Sequence, residues 1–309
     1  MESVLSKQRV PHLKARFSKY TGLMYILPWI IGFTVLQFYA IATSLYYSFT
    51  DYSMGKNTNW VGLQNYIDIF TKDYDFVKSA RVTFIYVLIA VPLKLLFALF
   101  IAVVLNQKLR GINLFRTAYY IPSILTGSVS IAILWKALFL KDGYVNVIFS
   151  YLGIPPVSWY GTPTMALFTI SLLTVWQFGS SMVLFLAGLQ QIPNSLYEAG
   201  RVDGASKLMQ FFKITLPMLS PTIFFNIIMQ TINAFQEFTS PAIVTHGGPV
   251  KGTYLYGLKL YEEGFQNFRM GYACSLSWLL FIVIMIFTLV MFTSSSRWVY
   301  YADGGEDGE

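Results

Sequence analysis

MGYACSLSWLLFIVIMIFTLVMFTSSS, the stretch from Met270 to Ser296, contains no charged side chain. A helix that crosses a bilayer needs about 20 mostly apolar residues, and this run is long enough. Comparable runs divide the rest of the chain. Thr21 to Thr50 is charge-free, Val82 to Gln107 carries only Lys94, and Thr117 to Trp135 is charge-free. Gly143 to Tyr197 is also charge-free, but Gly153, Pro155, Pro156, Gly161 and Pro163 interrupt it. Those breakers predict a loop followed by a helix from about Met165 to Gln190. Between Lys213 and Lys251 the only formal charge is Glu237. The expectation is an all-α integral membrane protein with six transmembrane helices.

Composition excludes the alternatives. A chain of 309 residues would make about two soluble domains, but only 12 % of it is charged, against 55 % hydrophobic and 17 % aromatic. An average soluble domain carries about 25 % charge. Disorder is excluded by the same hydrophobicity, and the single cysteine, Cys274, excludes a disulfide framework. The net charge of +7 would suggest nucleic acid in a soluble protein; here it reports basic flanks at a membrane. The first run is too long for a signal-peptide core and lacks a suitable cleavage site. Tyr20, Trp29, Tyr46 and Tyr47 fit interfacial anchoring instead.

Lysine and arginine near the span ends set the orientation. Lys7, Arg9, Lys14, Arg16 and Lys19 precede the first span; Lys108, Arg110 and Arg116, then Arg201, Lys207 and Lys213, then Arg297 lie on the same side. That side totals twelve against nine on the other, which places both termini in the cytoplasm. The expected organisation is a basic cytoplasmic tail over 1–20, a six-helix domain over 21–293 with a loop at 191–217, and an acidic cytoplasmic tail over 294–309. Inspection shows no internal repeat, which weakens the case for a secondary transporter built from repeated halves.

The loop between the fourth and fifth spans is the most informative segment. Ile192-Pro193-Asn194-Ser195-Leu196-Tyr197-Glu198-Ala199-Gly200-Arg201-Val202-Asp203-Gly204-Ala205 continues to Ile214-Thr215-Leu216-Pro217. Pro193 suits a helix start, and Asp203-Gly204 is turn chemistry. The helical pattern then resumes from Ala205 to Ile214, with Leu208, Met209 and Phe212 on one side. Ala199, Gly200, Gly204 and Ala205 leave a surface with almost no side chain, which would fit deep in a partner's groove. A re-entrant helix packed on its own bundle is the other reading.

The fifth span carries Asn226, Gln230, Asn233 and Glu237, spaced four, three and four residues apart and so expected on one helical face. Unpaired polar groups in lipid cost several kcal/mol each, so the stripe should face the bundle interior or a water-filled path. An intramembrane carboxylate is a functional candidate. It could equally be the counter-ion of Lys94 in the second span, and the stripe a packing seam. The fourth span offers Trp176, Gln177, Ser180 and Ser181, with Trp176 and Ser180 four residues apart. On its own, Trp176 fits core or lipid contact better than it fits a ligand. Amides and a carboxylate suit sugar hydroxyls, and aromatic rings suit the apolar faces of pyranose rings.

Glu198-Ala199-Gly200, Asp203-Gly204-Ala205 and Ile214-Thr215-Leu216-Pro217 resemble the "EAA" loop of permease subunits from binding-protein-dependent ABC importers, with Gly200 where the common form has Ala. Trp60-Val61-Gly62-Leu63-Gln64-Asn65-Tyr66, Phe115-Arg116-Thr117 with Ile121-Pro122, Thr245-His246-Gly247-Gly248-Pro249, Gly264-Phe265 and Gly271-Tyr272-Ala273 are similar to segments of the carbohydrate branch. With Leu27-Pro28 and Tyr46-Tyr47-Ser48-Phe49-Thr50-Asp51, the chain resembles the maltose-transporter first-permease type without its extra domain.

The resemblance implies a type I ABC importer permease fold and a cytoplasmic coupling helix, with Glu198, Ala199, Gly200, Asp203, Gly204 and Ala205 meeting the ATPase. Positions matching the maltose type's sugar contacts are Gln230, Asn233, Ala234 and Glu237, with Trp176, Gln177 and Ser180. Their residue types differ from the maltose pattern, so the implied sugar is not maltose, and Glu237 disfavours an anionic one.

The implied partners are a second permease subunit in a heterodimer, two ATPase subunits, an extracytoplasmic sugar-binding protein, a carbohydrate substrate and membrane lipid, with no nucleic acid. The implied location is a bacterial-type cell membrane. No Gly-x-x-x-x-Gly-Lys-(Ser/Thr) sequence is present. The chain itself is expected to be no enzyme and to hold no cofactor, ATP and magnesium belonging to the ATPase subunits. His12, His246 and Cys274 have no metal-site spacing. A secondary transporter or channel for a small polar solute, or a membrane-embedded enzyme, are the competing readings.

Overall fold

The frame is built around one long helix. Its first residue follows Asp73, whose carboxylate accepts the Phe76 backbone N–H at 3.0 Å and so caps the helix start. From there Tyr74–Leu105 runs unbroken through Pro92. Ser79, Thr83, Ala90, Ala98 and Ala102 are buried along it, and small side chains let neighbouring helices approach closely in a membrane bundle. The computed structural model describes residues 24–53, 58–107 and 111–300. The basic tail at 1–20, the basic residues Lys108 and Arg110, and most of the acidic tail lie outside the described residues.

In chain order the helices are α1 (Met24–Ser48), α2 (Gln64–Thr71), α3 (Tyr74–Leu105), α4 (Ile112–Ile124), α5 (Val129–Leu138), α6 (Tyr144–Tyr151), α7 (Pro163–Trp176), α8 (Gly179–Gln191), α9 (Asn194–Val202), α10 (Lys207–Met218), α11 (Ser220–Phe235), α12 (Tyr256–Tyr261) and α13 (Met270–Ser295). No strand occurs among the described residues; Thr50 and Trp60 form an isolated bridge. Helix α3 is central and packs against α7, α8 and α11. Tyr86, Ala90, Ile170, Met182, Phe185 and Leu219 form the core between them.

Three helices, α1, α3 and α13, are each long and apolar enough to span a bilayer. The other three expected spans are bent pairs: α4 with α5 by 102°, α7 with α8 by 47°, and α10 with α11 by 64°. Counting each pair as one span gives six. The single helix expected from Thr117 to Trp135 is therefore two. Gly127 sits at φ +76° and Ser128 is extended, so the backbone turns between them. The fourth span breaks at Gln177 and Phe178. There a Cβ on Gly179 would lie 2.7 Å from the Tyr119 carbonyl oxygen, so only glycine lets α8 cross α4 at that distance.

The Trp60–Tyr66 segment fastens the C-terminal end of α1. Asn65 Nδ2 donates to the Ser48 and Thr50 carbonyls at 2.9 and 2.8 Å, and the Tyr66 hydroxyl donates to Ser48 Oγ at 2.9 Å. Gly271 brings the start of α13 against the same turn, where a Cβ would lie 2.2 Å from the Thr50 oxygen. Elsewhere α1 is nearly bare, with none of its most apolar window buried.

Candidate functional site

The breaks in the third and fourth spans meet the end of the fifth. Helix α11 stops at Phe235, and Glu237 lies beyond it, before the π-helical turn Pro241–Thr245. Glu237 is thus off the helical face that its spacing predicts. Its Oε1 accepts the Ser240 backbone N–H at 2.9 Å and the Ser240 hydroxyl at 2.8 Å. Around it stand Ser128 from the α4–α5 break, Thr174 and Gln177 from the α7–α8 break, and Thr239. The Tyr86 hydroxyl shares a 2.6 Å hydrogen bond with Thr174 Oγ1 and ties this cluster to α3.

Unwound backbone at membrane depth is tolerated where protein buries it or where it lines a cavity. Discontinuous helices are where transporters place polar sites. The cleft among these side chains is about 10 Å³, room for roughly one water. In this conformation no sugar ring enters it.

Lys94 is buried, with 6 % of its surface exposed. It makes no hydrogen bond or ion pair among the described residues, although the charge of Glu237 acts on it. The two are therefore not an ion pair within 4.0 Å, as the counter-ion reading expected.

The other stripe residues separate. Asn226 is fully buried; its amide nitrogen donates to the Thr222 carbonyl at 3.0 Å, and its Oδ1 has no partner among the described residues. Gln230 is half-buried, and Asn233 is exposed in a row with Phe225 and Met229. On the fourth span Gln177 is buried, Trp176 half-buried and Ser180 exposed. The break between Trp176 and Gly179 removes the continuous helix that would set Trp176 and Ser180 on one face. Trp176 instead lies 6.0 Å from Trp135, whose indole N–H donates to the Thr169 carbonyl. The solvent-reachable members are Asn233 and Ser180, with Gln230, Trp176 and Glu237 partly so.

Sequence reasoning missed Tyr86, Thr174, Ser240 and Trp135. Hydroxyl and indole groups in apolar runs carry no spacing signal, and only the breaks bring them together.

The loop after α8 forms as its residue types predict. Helix α9 starts after Pro193 and ends in a Schellman motif. Gly204 adopts φ +77°, its N–H bonds the Arg201 carbonyl at 3.0 Å, and the Ala205 N–H bonds the Gly200 carbonyl at 2.8 Å. Ser206 then caps α10 by accepting the Met209 N–H at 3.3 Å. The Tyr197 hydroxyl shares a 2.9 Å hydrogen bond with Thr215 Oγ1, which fixes α9 on α10. Glu198, Ala199, Asp203 and Gly204 are exposed, while Gly200 and Ala205 are half-buried. A Cβ on Gly200 would meet Ile214 Cδ1 at 3.2 Å, a tight contact with a flexible side-chain tip. Leu208, Met209 and Phe212 are exposed on α10.

At the opposite end lies an ion-pair network that spacing did not reveal. Lys259, 2 % exposed, contacts Asp73 Oδ2 at 2.7 Å and Glu263 at 3.6 Å, and Arg269 reaches Glu263 at 3.2 Å. The Tyr272 hydroxyl donates to Asp73 at 2.5 Å. Burial works to raise the Asp73 pKa, but the hydrogen bonds from Lys259 and Tyr272 prevail and hold it below the ordinary carboxylate value. No cluster of metal-ligating side chains occurs among the described residues.

Comparison with known proteins matches residues 74–304 to the family described as "binding-protein-dependent transport system inner membrane component". The probable ABC transporter permease protein YesP of Bacillus subtilis (strain 168) is 48 % identical over 283 residues, covering 91 % of this chain and 92 % of that protein. The trehalose/maltose transport system permease protein MalF of Thermococcus litoralis is 33 % identical over 282 residues, covering 90 % and 94 %. Among solved structures, a chain of a bacterial alginate ABC transporter in complex with an alginate pentasaccharide-bound periplasmic protein superposes with a TM-score of 0.78 at 21 % identity, covering 93 % of this chain and 98 % of that one.

Proposed function

The chain belongs to the binding-protein-dependent transport system inner membrane components, and from that premise we propose that it forms one half of the path by which a sugar or oligosaccharide enters the cell. The observation that carries this reading is the meeting of two helix breaks with the end of α11 at Glu237, with Asn233 exposed on α11 and Ser180 exposed at the start of α8. Polar groups that a continuous bundle would exclude are gathered where the helices are unwound. The trehalose/maltose name of one relative supports a carbohydrate substrate.

The chain's own cleft is water-sized, so the sugar is met on the exposed row of α11, between this subunit and a second, related permease. Asn233, Gln230 and Ser180 supply hydroxyl contacts, Trp176 an apolar face and Glu237 a charged acceptor. Asn226 and Gln177 support the site from within. Glu237 disfavours an anionic sugar.

Two ATPase subunits dock on the loop at 191–217, which faces the cytoplasm with both termini, and an extracytoplasmic binding protein delivers the sugar. ATP and magnesium sit on the ATPase subunits. Glu198 and the small surface of Ala199, Gly200, Gly204 and Ala205 transmit closure of the ATPase dimer. ATP binding favours one of the two access states, and that difference supplies the bias.

The test is uptake by the reconstituted complex with a panel of labelled glycans. Replacing Asn233 with Leu should impair uptake while ATPase activity without substrate survives. Unchanged uptake per assembled complex would remove the exposed row from the path.

A further inference from the structure

The loop after α8 and the C-terminal end of α3 border a second cavity, of about 940 Å³, on the same loop that the ATPase is proposed to meet. Arg201 and Lys207 line it, and Asn106, Gln107 and Gln210 add amide groups. No carboxylate is among its lining residues; the loop's two acids, Glu198 and Asp203, lie off it. Arg201 and Lys207 make no ion pair among the described residues. Val103, Leu189 and Phe211 add apolar surface to the cavity wall.

Positive charge gathers around the same helix end. Arg116 donates to the Leu105 carbonyl at 2.9 Å, and its Nε is buried without a partner among the described residues. In sequence Gln107 is followed by Lys108 and Arg110. Two cations, several amide donors and apolar wall surface match a phosphodiester with attached acyl chains. Basic pockets between helices on the cytoplasmic side bind anionic headgroups.

We propose that this cavity binds a phosphate group, that of an anionic phospholipid in the cytoplasmic leaflet, and so places lipid charge against the coupling loop. The inference rests on the cytoplasmic placement of that loop. The phosphate lies between Arg201 and Lys207, and the glycerol backbone rests on the Val103 side. Bound lipid stiffens the junction of α9, α10 and α3.

The whole complex, reconstituted in nanodiscs of phosphatidylcholine with or without phosphatidylglycerol, tests this by native mass spectrometry after mild delipidation. The wild-type complex should retain a phosphatidylglycerol that the Arg201→Gln/Lys207→Gln complex loses. Each basic side chain at a membrane surface contributes about fivefold in binding, so the double variant should bind roughly twenty-five-fold more weakly. Arg201→Lys/Lys207→Arg should retain the lipid, which separates lost charge from misfolding. Equal retention by the Gln variant overturns the site. Inorganic phosphate binding to the wild-type complex in pure phosphatidylcholine as tightly as the lipid overturns the lipid assignment in favour of a soluble anion. Glu198→Lys should keep the lipid; if it also transports normally, the coupling reading fails while the lipid site stands.

Discussion

Replacing Glu237 distinguishes a carboxylate that holds the fold from one that serves the substrate, because the two bonds to Ser240 end on the same oxygen. In Glu237→Gln the amide oxygen can take the place of Oε1 and accept both the N–H and the hydroxyl. The change is from two charge-assisted bonds to two neutral ones. At about 1.5–3 kcal/mol for a charged bond and about 1 kcal/mol for a neutral one, the loss is on the order of 1–4 kcal/mol. Glu237→Leu keeps no acceptor. It forfeits both bonds, roughly 3–6 kcal/mol, and strands the Ser240 donors inside the bundle. The Leu protein should therefore be less stable than the Gln protein by about 2 kcal/mol.

Thermal unfolding followed by fluorescence-detected size exclusion reads that difference, and uptake per assembled complex reads the rest. The Gln variant should assemble nearly as well as the wild type yet transport less, since the charge that meets the sugar is gone. A Leu variant as stable as the Gln variant would refute the capping role. Full uptake by the Gln variant would refute the substrate role.

Other substitutions probe other parts. Lys94 makes no ion pair within 4.0 Å among the described residues, so Lys94→Met should leave assembly unchanged or improved, as when a costly buried charge is replaced by an apolar group; loss of assembled complex on a gel would restore the counter-ion reading. Gly204→Val forces a β-branched residue to φ +77°, which costs at least about 1–2 kcal/mol and unmakes the Schellman turn, so the ATPase should copurify poorly; normal recovery of the ATPase would count against the loop as its docking site. The Asp73 carboxyl is held below its ordinary 3.8, so its stabilisation is complete above that pH and fades as pH falls through the lower folded value. An acid titration of thermal stability should therefore drop more steeply below about pH 3.8 for the wild type than for Asp73→Asn; parallel curves would exclude the network from the balance.

The spans were legible because lipid demands long charge-free runs, and Met270 to Ser296 satisfies that demand without ambiguity. The breaks were not. Hydropathy sums side-chain character over a window and is blind to a backbone reversal such as Gly127, which lies within a charge-free run. The loop at 191–217 was legible for the opposite reason: Pro193, Asp203 and Gly204 act through local backbone preference and need no tertiary context. The stripe of Asn226, Gln230, Asn233 and Glu237 was read as a rigid helical face. The helix ends at Phe235, and the exposed row follows Phe225, Met229 and Asn233, one step around from Asn226. Periodicity gives relative angle along a continuous helix; it does not say where the helix stops or which side its neighbours cover.

The Asp73 network also bears on how the protein is made. The carboxylate emerges from the ribosome early, and its Tyr272 partner follows 199 positions later. At about 5–20 residues per second, that interval is on the order of 10–40 s. Through most of it the acidic N-terminal end of α3 has neither its lysine nor its tyrosine. The seal between the first long central helix and the last is therefore a completion step. A chain that ends before Lys259 lacks both the lysine and the tyrosine that neutralise and cap the carboxylate at the head of its central helix.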